Sequence, residues 1–381
     1  MKAVVAIDSF KGSLSTFEAA EAVAVGIKRA YPDAVVKGSP LADGGEGTVD
    51  AVVAATGGEM QKVTVCGPHS REVVASYGLI KKTETAVMEM AAAAGITMVN
   101  GEEKNPLYTT TYGVGEMIRD AINKGCRRFL IGIGGSATND GGVGMLQALG
   151  FEFKDKNGSP ISRGAIGLRD LCEIRTDNAM PELAECEFCV ACDVKNPLCG
   201  DNGCSAIFGH QKGATPEMVT QMDKDLSRYA ELTESVIPTA DASYPGSGAA
   251  GGLGFAFKAY LCAELKPGID IVIEATELEK YVMEADIVVT GEGRLDGQSC
   301  MGKAPVGVAT LAKKYNKPVL AFAGCVTDDA IKCNEHGIDA FFPIVRKPCT
   351  LDDAMNIENA KKNLADTAEQ AFRVVKTFMK I

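Results

Sequence analysis

The chain has no tryptophan and only three histidines in 381 residues. His69, His210 and His336 stand far apart, which leaves no histidine pair for a zinc site and no Ser-His-Asp constellation. No Gly-x-Ser-x-Gly elbow occurs. Aromatic residues make up 6% of the chain, so a nucleobase would be recognised through aliphatic contacts rather than by stacking. No apolar run approaches the ~18 residues of a membrane-spanning helix. Acidic residues outnumber basic ones, 50 to 39. The net charge of -11 argues against a nucleic-acid binder, which shows a basic face, but leaves room for a small anion held by a few local cations. No leader-like pattern precedes the first strand-like run. The 13 cysteines are scattered through a chain too large to need a disulfide framework. Reduced thiols and a cytoplasmic location are therefore expected.

What the chain has in quantity is glycine, 42 residues, and a rhythm of strand, loop and helix. Residues 3–7 form a buried-strand run, followed by the loop Asp8-Ser-Phe-Lys-Gly-Ser13. Ser15 and Glu18 make a capping box, and Ala19, Val23 and Ile27 keep helical spacing. A strand over 35–41, a glycine loop and a helix over 49–55 repeat the unit. Short strands over 63–65, 73–77 and 85–88 then break the rhythm. Helices follow over 111–122, 143–149, 214–236 and 255–265, with strands over 129–133 and 187–191. The βα pattern returns with strands over 286–290, 318–323 and 340–344, a helix starting near Pro305 and a long helix over 360–379. A chain longer than roughly 250–300 residues is expected to divide into domains. The pattern places one discontinuous α/β domain at residues 1–62 and 283–381, with a second inserted at 63–282.

The run Gly132-Ile-Gly-Gly-Ser-Ala-Thr-Asn-Asp-Gly-Gly-Val-Gly144 follows a strand and precedes a helix. Glycines allow close approach, and a helix N-terminus favours anions, so this loop is expected to meet a phosphate or carboxylate. The plainer alternative is a tight turn without a ligand. Three acidic glycine loops follow strands: Asp43-Gly-Gly-Glu46, Asn139-Asp-Gly-Gly142 and Gly291-Glu-Gly-Arg-Leu-Asp296. Ligand sites lie beyond the carboxyl ends of parallel strands. Carboxylates there suit Mg²⁺, which also takes phosphate oxygens. Lys11 and Arg294 are the cations nearest these loops. Gly297-Gln-Ser-Cys-Met-Gly-Lys-Ala304 lacks the hydroxyl residue of a P-loop and runs into Pro305, although Lys303 remains a candidate phosphate contact. Gly132-Ile-Gly-Gly-Ser-Ala137 fits a dinucleotide fingerprint only nominally, because the acid expected about 20 residues on is missing. Cys186, Cys189 and Cys192 have C-x₂-C-x₂-C spacing, but a strand-like alternation would splay them, so they are read as buried thiols.

Taken in order, seven motifs resemble the bacterial type-1 glycerate kinase family along essentially the whole chain. They are Asp8-Ser-Phe-Lys-Gly-Ser13, Ala42-Asp-Gly-Gly-Glu-Gly-Thr48, Asn105-Pro-Leu-Tyr-Thr-Thr-Thr-Tyr-Gly113, Gly134-Gly-Ser-Ala-Thr-Asn-Asp-Gly-Gly142, Cys192-Asp-Val-Lys-Asn-Pro-Leu198, Gly248-Ala-Ala-Gly-Gly-Leu-Gly254, and Gly291-Glu-Gly-Arg-Leu-Asp296 with Gly302-Lys-Ala-Pro305. The resemblance implies ATP-dependent phosphorylation of glycerate to 2-phosphoglycerate. It also implies two α/β domains, a flavodoxin-like parallel-sheet domain and an inserted mixed α/β domain, with an active site in the cleft between them. A kinase of a related small hydroxy acid and a non-catalytic nucleotide-binding sensor remain the alternatives. The partners expected are glycerate and ATP, without nucleic acid or membrane, and the chain is expected to be a monomer or homodimer.

The residue roles are physical expectations. Gly134, Gly135 and Ser136, with Asn139, Gly251 and Gly252, are placed at the ATP phosphates. Asp193, with Asp296 or Glu292, is placed on Mg²⁺. Arg294 and Lys11 take the glycerate carboxylate and the transferring phosphoryl group, and Lys303 joins them in binding substrate. Asp43 orients the attacking hydroxyl and accepts its proton. Ser13 and Glu46 support these groups. Whether Ser136, Asn139 and Asp140 touch a ligand or only shape the turn is open at this point.

Overall fold

Residues 3–7 carry five consecutive apolar side chains, and a strand of that kind must be covered on both faces. In the computed structural model, which describes residues 1–42 and 44–378, all five are buried. The strands among the described residues are β1 (Lys2–Ile7), β2 (Val35–Pro40), β3 (Glu59–Cys66), β4 (Glu72–Ile80), β5 (Thr85–Glu89), β6 (Arg128–Gly132), β7 (Glu152–Lys154), β8 (Glu173–Arg175), β9 (Glu187–Ala191), β10 (Glu264–Lys266), β11 (Ile287–Leu295), β12 (Val319–Val326) and β13 (Ala340–Pro343). They fall in two compact units. One contains Met1–Asp43, Asp50–Thr56 and Pro267–Ile381, and the other contains Gly44–Val49 and Gly57–Lys266.

The first unit is built on a parallel sheet of order β13-β12-β11-β1-β2. Ala3 pairs with Ile287 on one side and Val36 on the other. Val288 pairs with Val319, and Leu320 with Ala340. From β1 the chain steps to one side of the sheet through the helix Thr16–Ala30. From β11 it steps the other way through the helix Ala304–Lys314. Right-handed crossovers in opposite directions put their helices on opposite faces. Ala3, Val5, Ile7, Ile287 and Val289 share a core with Val23 and Ile27 of the first helix and with Leu364 and Phe372 of the helix Ile357–Phe378.

Local chemistry fixes where these helices begin. The capping box at Ser15 is present: Glu18 N donates to Ser15 Oγ at 3.3 Å, and Ser15 N donates to Glu18 Oε2 at 3.0 Å. Thr16 Oγ1 donates to Ile7 O at 2.5 Å and accepts from Leu41 N at 3.1 Å. One buried hydroxyl therefore ties the end of β1 to the chain leaving β2.

The second unit holds a mixed sheet of order β10-β9-β6-β5-β4-β3. Strands β10, β9, β6 and β5 run parallel, while β4 is antiparallel to both β5 and β3. Phe129 and Phe188 stack across β6 and β9 with ring centroids 4.8 Å apart. Strands β7 and β8 pair separately. The helix expected over 255–265 ends at Leu261, and residues 250–252 ahead of it take left-handed φ of 52°, 69° and 92°, outside helical geometry. Cys262 takes a left-handed φ of 50° that ends it, and Glu264–Lys266 joins β9 as a further strand. No helix among the described residues is long and apolar enough to cross a membrane.

The helices Thr16–Ala30 and Ile357–Phe378 meet at Gly26. A Cβ there would stand 2.3 Å from Ala365 O and 2.7 Å from Ala368 Cβ. Gly26→Ala should therefore force the helices apart and lower stability by about 1–3 kcal/mol. Gly38→Ala on the edge strand, whose nearest contact would be Ala20 Cβ at 3.8 Å, should change it by less than about 0.5 kcal/mol. Urea unfolding of the two variants checks the contrast.

Candidate active site

A cavity of about 420 Å³ opens within the first unit. Its walls come from the carboxyl ends of β1, β11, β12 and β13. The sheet order changes direction between β1 and β11, which is where open parallel sheets bind ligands. Asp8, Ser9, Lys11 and Ser13 follow β1, and Glu292, Arg294 and Asp296 close β11. Lys303 stands at the start of the helix Ala304–Lys314. Ile344 and Val345 follow β13. The volume falls in the ~300–1,000 Å³ range of small-molecule sites.

The polar wall is held by short-range bonds. Asp8 N donates to Gly291 O at 2.9 Å, joining the β1 loop to β11. Ser13 N donates to Phe10 O at 2.7 Å, which folds Lys11 and Gly12 into a tight turn. Ser13 Oγ is buried without a hydrogen-bond partner among the described residues, a vacancy that a ligand oxygen could satisfy. Glu292 Oε1 accepts from Ser299 Oγ at 2.5 Å. Asp296 Oδ1 accepts from Gln298 N at 2.9 Å and Ser299 N at 3.3 Å, so this carboxylate also builds its own turn. Arg294 Nε lies 3.4 Å from Asp296 Oδ2, with 65% of the arginine side chain exposed. Such a pair is screened and weak, and it leaves the guanidinium accessible. Lys11 is exposed.

Of the residues expected to hold a metal, Glu292 and Asp296 share this cavity. Asp193 lies beyond β9 in the second unit and is exposed. Among the described residues, no group of three or more His, Cys, Asp or Glu is gathered for an ion. Two carboxylates are a fitting donor set for Mg²⁺ that arrives with phosphate oxygens, since Mg²⁺ seldom needs an all-protein cage. Asp43 falls outside the described residues. Glu46 is exposed on the Gly44–Val49 segment of the second unit.

The glycine loop after β6 is exposed at its start and buried beyond it. Gly134 and Gly135 are exposed, whereas Ser136, Asn139 and Asp140 are buried. The helix that follows, Val143–Ala148, has six residues, and its start is already capped from within. Asp140 Oδ1 accepts from Gly142 N at 3.2 Å. Asp140 Oδ2 accepts from Thr111 N at 2.8 Å, Thr111 Oγ1 at 2.9 Å and Gly144 N at 3.3 Å. Met145 N donates to Thr111 Oγ1 at 2.9 Å. The protein's own carboxylate thus occupies the position expected for an anion. Burial pushes the Asp140 carboxyl up from its ordinary range, and the bonds from Thr111, Gly142 and Gly144 pull it back down.

Asn139 is fully buried and donates from Nδ2 to Ser205 Oγ at 2.9 Å. Gly251 and Gly252 are buried too, with φ of 69° and 92°. Gly141 N donates to Gly251 O at 2.9 Å, and a Cβ on Gly251 would stand 2.0 Å from Thr138 O. These two glycines allow one backbone to cross another beneath the 138–141 turn. That crossing alone requires glycine at Gly251, whatever ligand the turn meets.

Lys212 carries no motif or spacing that marks it in the sequence. This lysine is 2% exposed and donates from Nζ to Ser136 Oγ at 2.8 Å and Thr138 O at 2.6 Å. Burial pushes its ammonium down to about 8, opposed by the neighbouring Cys204 and Asp140. It holds the underside of the glycine loop through non-local bonds, for which no spacing rule gives a signal.

The folded chain releases the Lys212 proton near pH 8, while the unfolded chain keeps it until near 10.5. Between those values the unfolded state binds more protons, so this group adds stability as pH rises. Relative to Lys212→Met, the wild type should gain about 3 kcal/mol from pH 7.5 to 10.5. Urea unfolding across that range measures the difference, and a flat difference contradicts the buried charge.

The comparisons agree with this architecture. The model of the glycerate kinase family matches residues 3–376. The chain is 48% identical over 372 residues to glycerate 2-kinase of Escherichia coli K12, covering 96% of this chain and 98% of that protein. It is 48% identical over 375 residues to a glycerate kinase of Haemophilus influenzae, covering 98% and 99%. A crystal structure assigned to glycerate kinase 2 of Salmonella typhimurium LT2 matches with a TM-score of 0.91 and 46% identity, covering all of both chains. With a family-wide match and relatives this close along their full length, the chain belongs to the glycerate kinase family of phosphotransferases.

Proposed function

We propose that this chain transfers the γ-phosphoryl group of ATP to the 2-hydroxyl of glycerate. The observation that carries the reading is the composition of the cavity at the sheet's change of direction. Three cations, Lys11, Arg294 and Lys303, stand there with three acids, Asp8, Glu292 and Asp296. The name of the Escherichia coli relative supports glycerate and its 2-position.

Phosphoryl transfer depends mainly on positioning and charge neutralisation. Lys11 and Lys303 act as point charges on phosphate oxygens, and Arg294 presents a planar fork to them. Ser13 Oγ donates to one phosphate oxygen. Glu292 and Asp296 would hold Mg²⁺, whose bound charge offsets that of the phosphates. As the glycerate oxygen forms its bond to phosphorus, the bond to the bridging oxygen breaks and ADP leaves. Asp43, assigned from sequence alone, orients the hydroxyl and takes its proton.

³¹P spectra of a reaction with ATP, Mg²⁺ and glycerate should show ADP and 2-phosphoglycerate. Bound ATP without product would make the chain a nucleotide sensor, and faster turnover of another hydroxy acid would change the acceptor. Arg294→Ala should lower kcat/KM by about 10²-fold. Asp43→Asn should lower kcat by about 10²- to 10⁴-fold. Values within a few-fold of wild type would remove these two roles.

A further inference from the structure

The cavity is larger and more apolar than a three-carbon acid requires. It runs over the carboxyl ends of β13, β12, β11 and β1, three strand spacings or about 14 Å. That is the reach of an extended nucleotide. Its chemistry changes along this span. The loops after β1 and β11 bring the cations and acids already described. The far wall comes from Val345 and the short helix Leu351–Met355, and it is aliphatic.

Leu351 is 75% exposed and Val345 is 37% exposed. An apolar surface that faces a cavity and stays wet gains by covering an apolar ligand face. One polar group stands among these residues. Asn363, on the helix Ile357–Phe378, lines the cavity, and no hydrogen bond of its side-chain amide is seen among the described residues. An amide offers one donor and one acceptor side by side, which matches the N6 and N7 edge of adenine. A guanine presents two acceptors there and does not match.

We infer that this cavity takes the whole adenine nucleotide. The base lies against Val345, Leu351 and Met355, Asn363 reads its edge, and the phosphates reach Lys11, Arg294 and Lys303. The inference rests on the reading that ATP is the phosphoryl donor. It moves the phosphates away from the Gly134–Ser136 loop, whose helix start Asp140 already caps.

Calorimetric binding of ADP and of tripolyphosphate to the full chain tests this. Leu351 is exposed at the start of its helix, so Leu351→Asp should fold normally. The variant should bind ADP at least tenfold more weakly and bind tripolyphosphate as the wild type does. Asn363→Ala should bring ADP and GDP affinities within about threefold of each other, from a wild-type preference for ADP of tenfold or more. Unchanged ADP binding in Leu351→Asp overturns the inference, as does an equal loss of tripolyphosphate binding. Absence of ADP binding to the wild type overturns it too. If ADP binding follows the prediction while the wild type forms no phosphoglycerate, the phosphotransfer reading fails and the nucleotide site stands.

Discussion

The pairing of β1 with β11 is the constraint on which the first unit depends. Ala3, Val4 and Val5 align with Ile287, Val288 and Val289, two segments separated by most of the chain. This register makes the sheet continuous, and it also creates the point where the connections change direction. The right-handed crossover rule sends the helix after β1 to one face and the helix after β11 to the other, so the loops diverge and leave a crevice. Asp8 N bonded to Gly291 O holds the loop after β1 against β11 at the mouth of that crevice. Lys11, Ser13, Glu292, Arg294 and Asp296 become neighbours because two strands from opposite ends of the sequence share one ladder.

The second unit solves a different problem, which is how to keep an almost bare glycine backbone in one shape. Asp140 gathers donors from Thr111, Gly142 and Gly144. Lys212 draws Ser136 and Thr138 together from another segment. Both charges are buried, so each is costly alone, and partners that satisfy a buried charge become expensive to lose. The loop owes its form to these buried polar groups more than to its glycines.

These two cases explain what could be read from the amino-acid sequence. The strands of the first unit were readable because buried parallel strands are continuous apolar runs, and the Ser15 capping box is a local pattern. The ordered motifs led to the family. Acids, cations and glycines at strand ends single out the segments at the ends of β1 and β11, which line the cavity. The roles around Gly132 to Gly144 were not readable. A glycine that admits a ligand and a glycine that admits another backbone look the same in sequence, and Gly251 proves to be the second kind. An aspartate before a helix can bind outward or cap inward, and Thr111, about thirty residues upstream, decides for Asp140. Lys212 sits in a polar stretch with no periodic signal, and burial of one lysine is a tertiary fact. The short strand β10 was missed because the end of the preceding helix depends on the single left-handed residue Cys262.

If phosphate groups are held where β1 and β11 end, nucleotide should protect that part of the first unit and spare the glycine loop after β6. Amide hydrogen exchange of the full chain, with and without ADP and Mg²⁺, tests it most directly. Nucleotide should slow exchange in residues 8–13 and 292–303, while residues 132–140 change little. Protection confined to 132–140, with 8–13 and 292–303 unaffected, would contradict it.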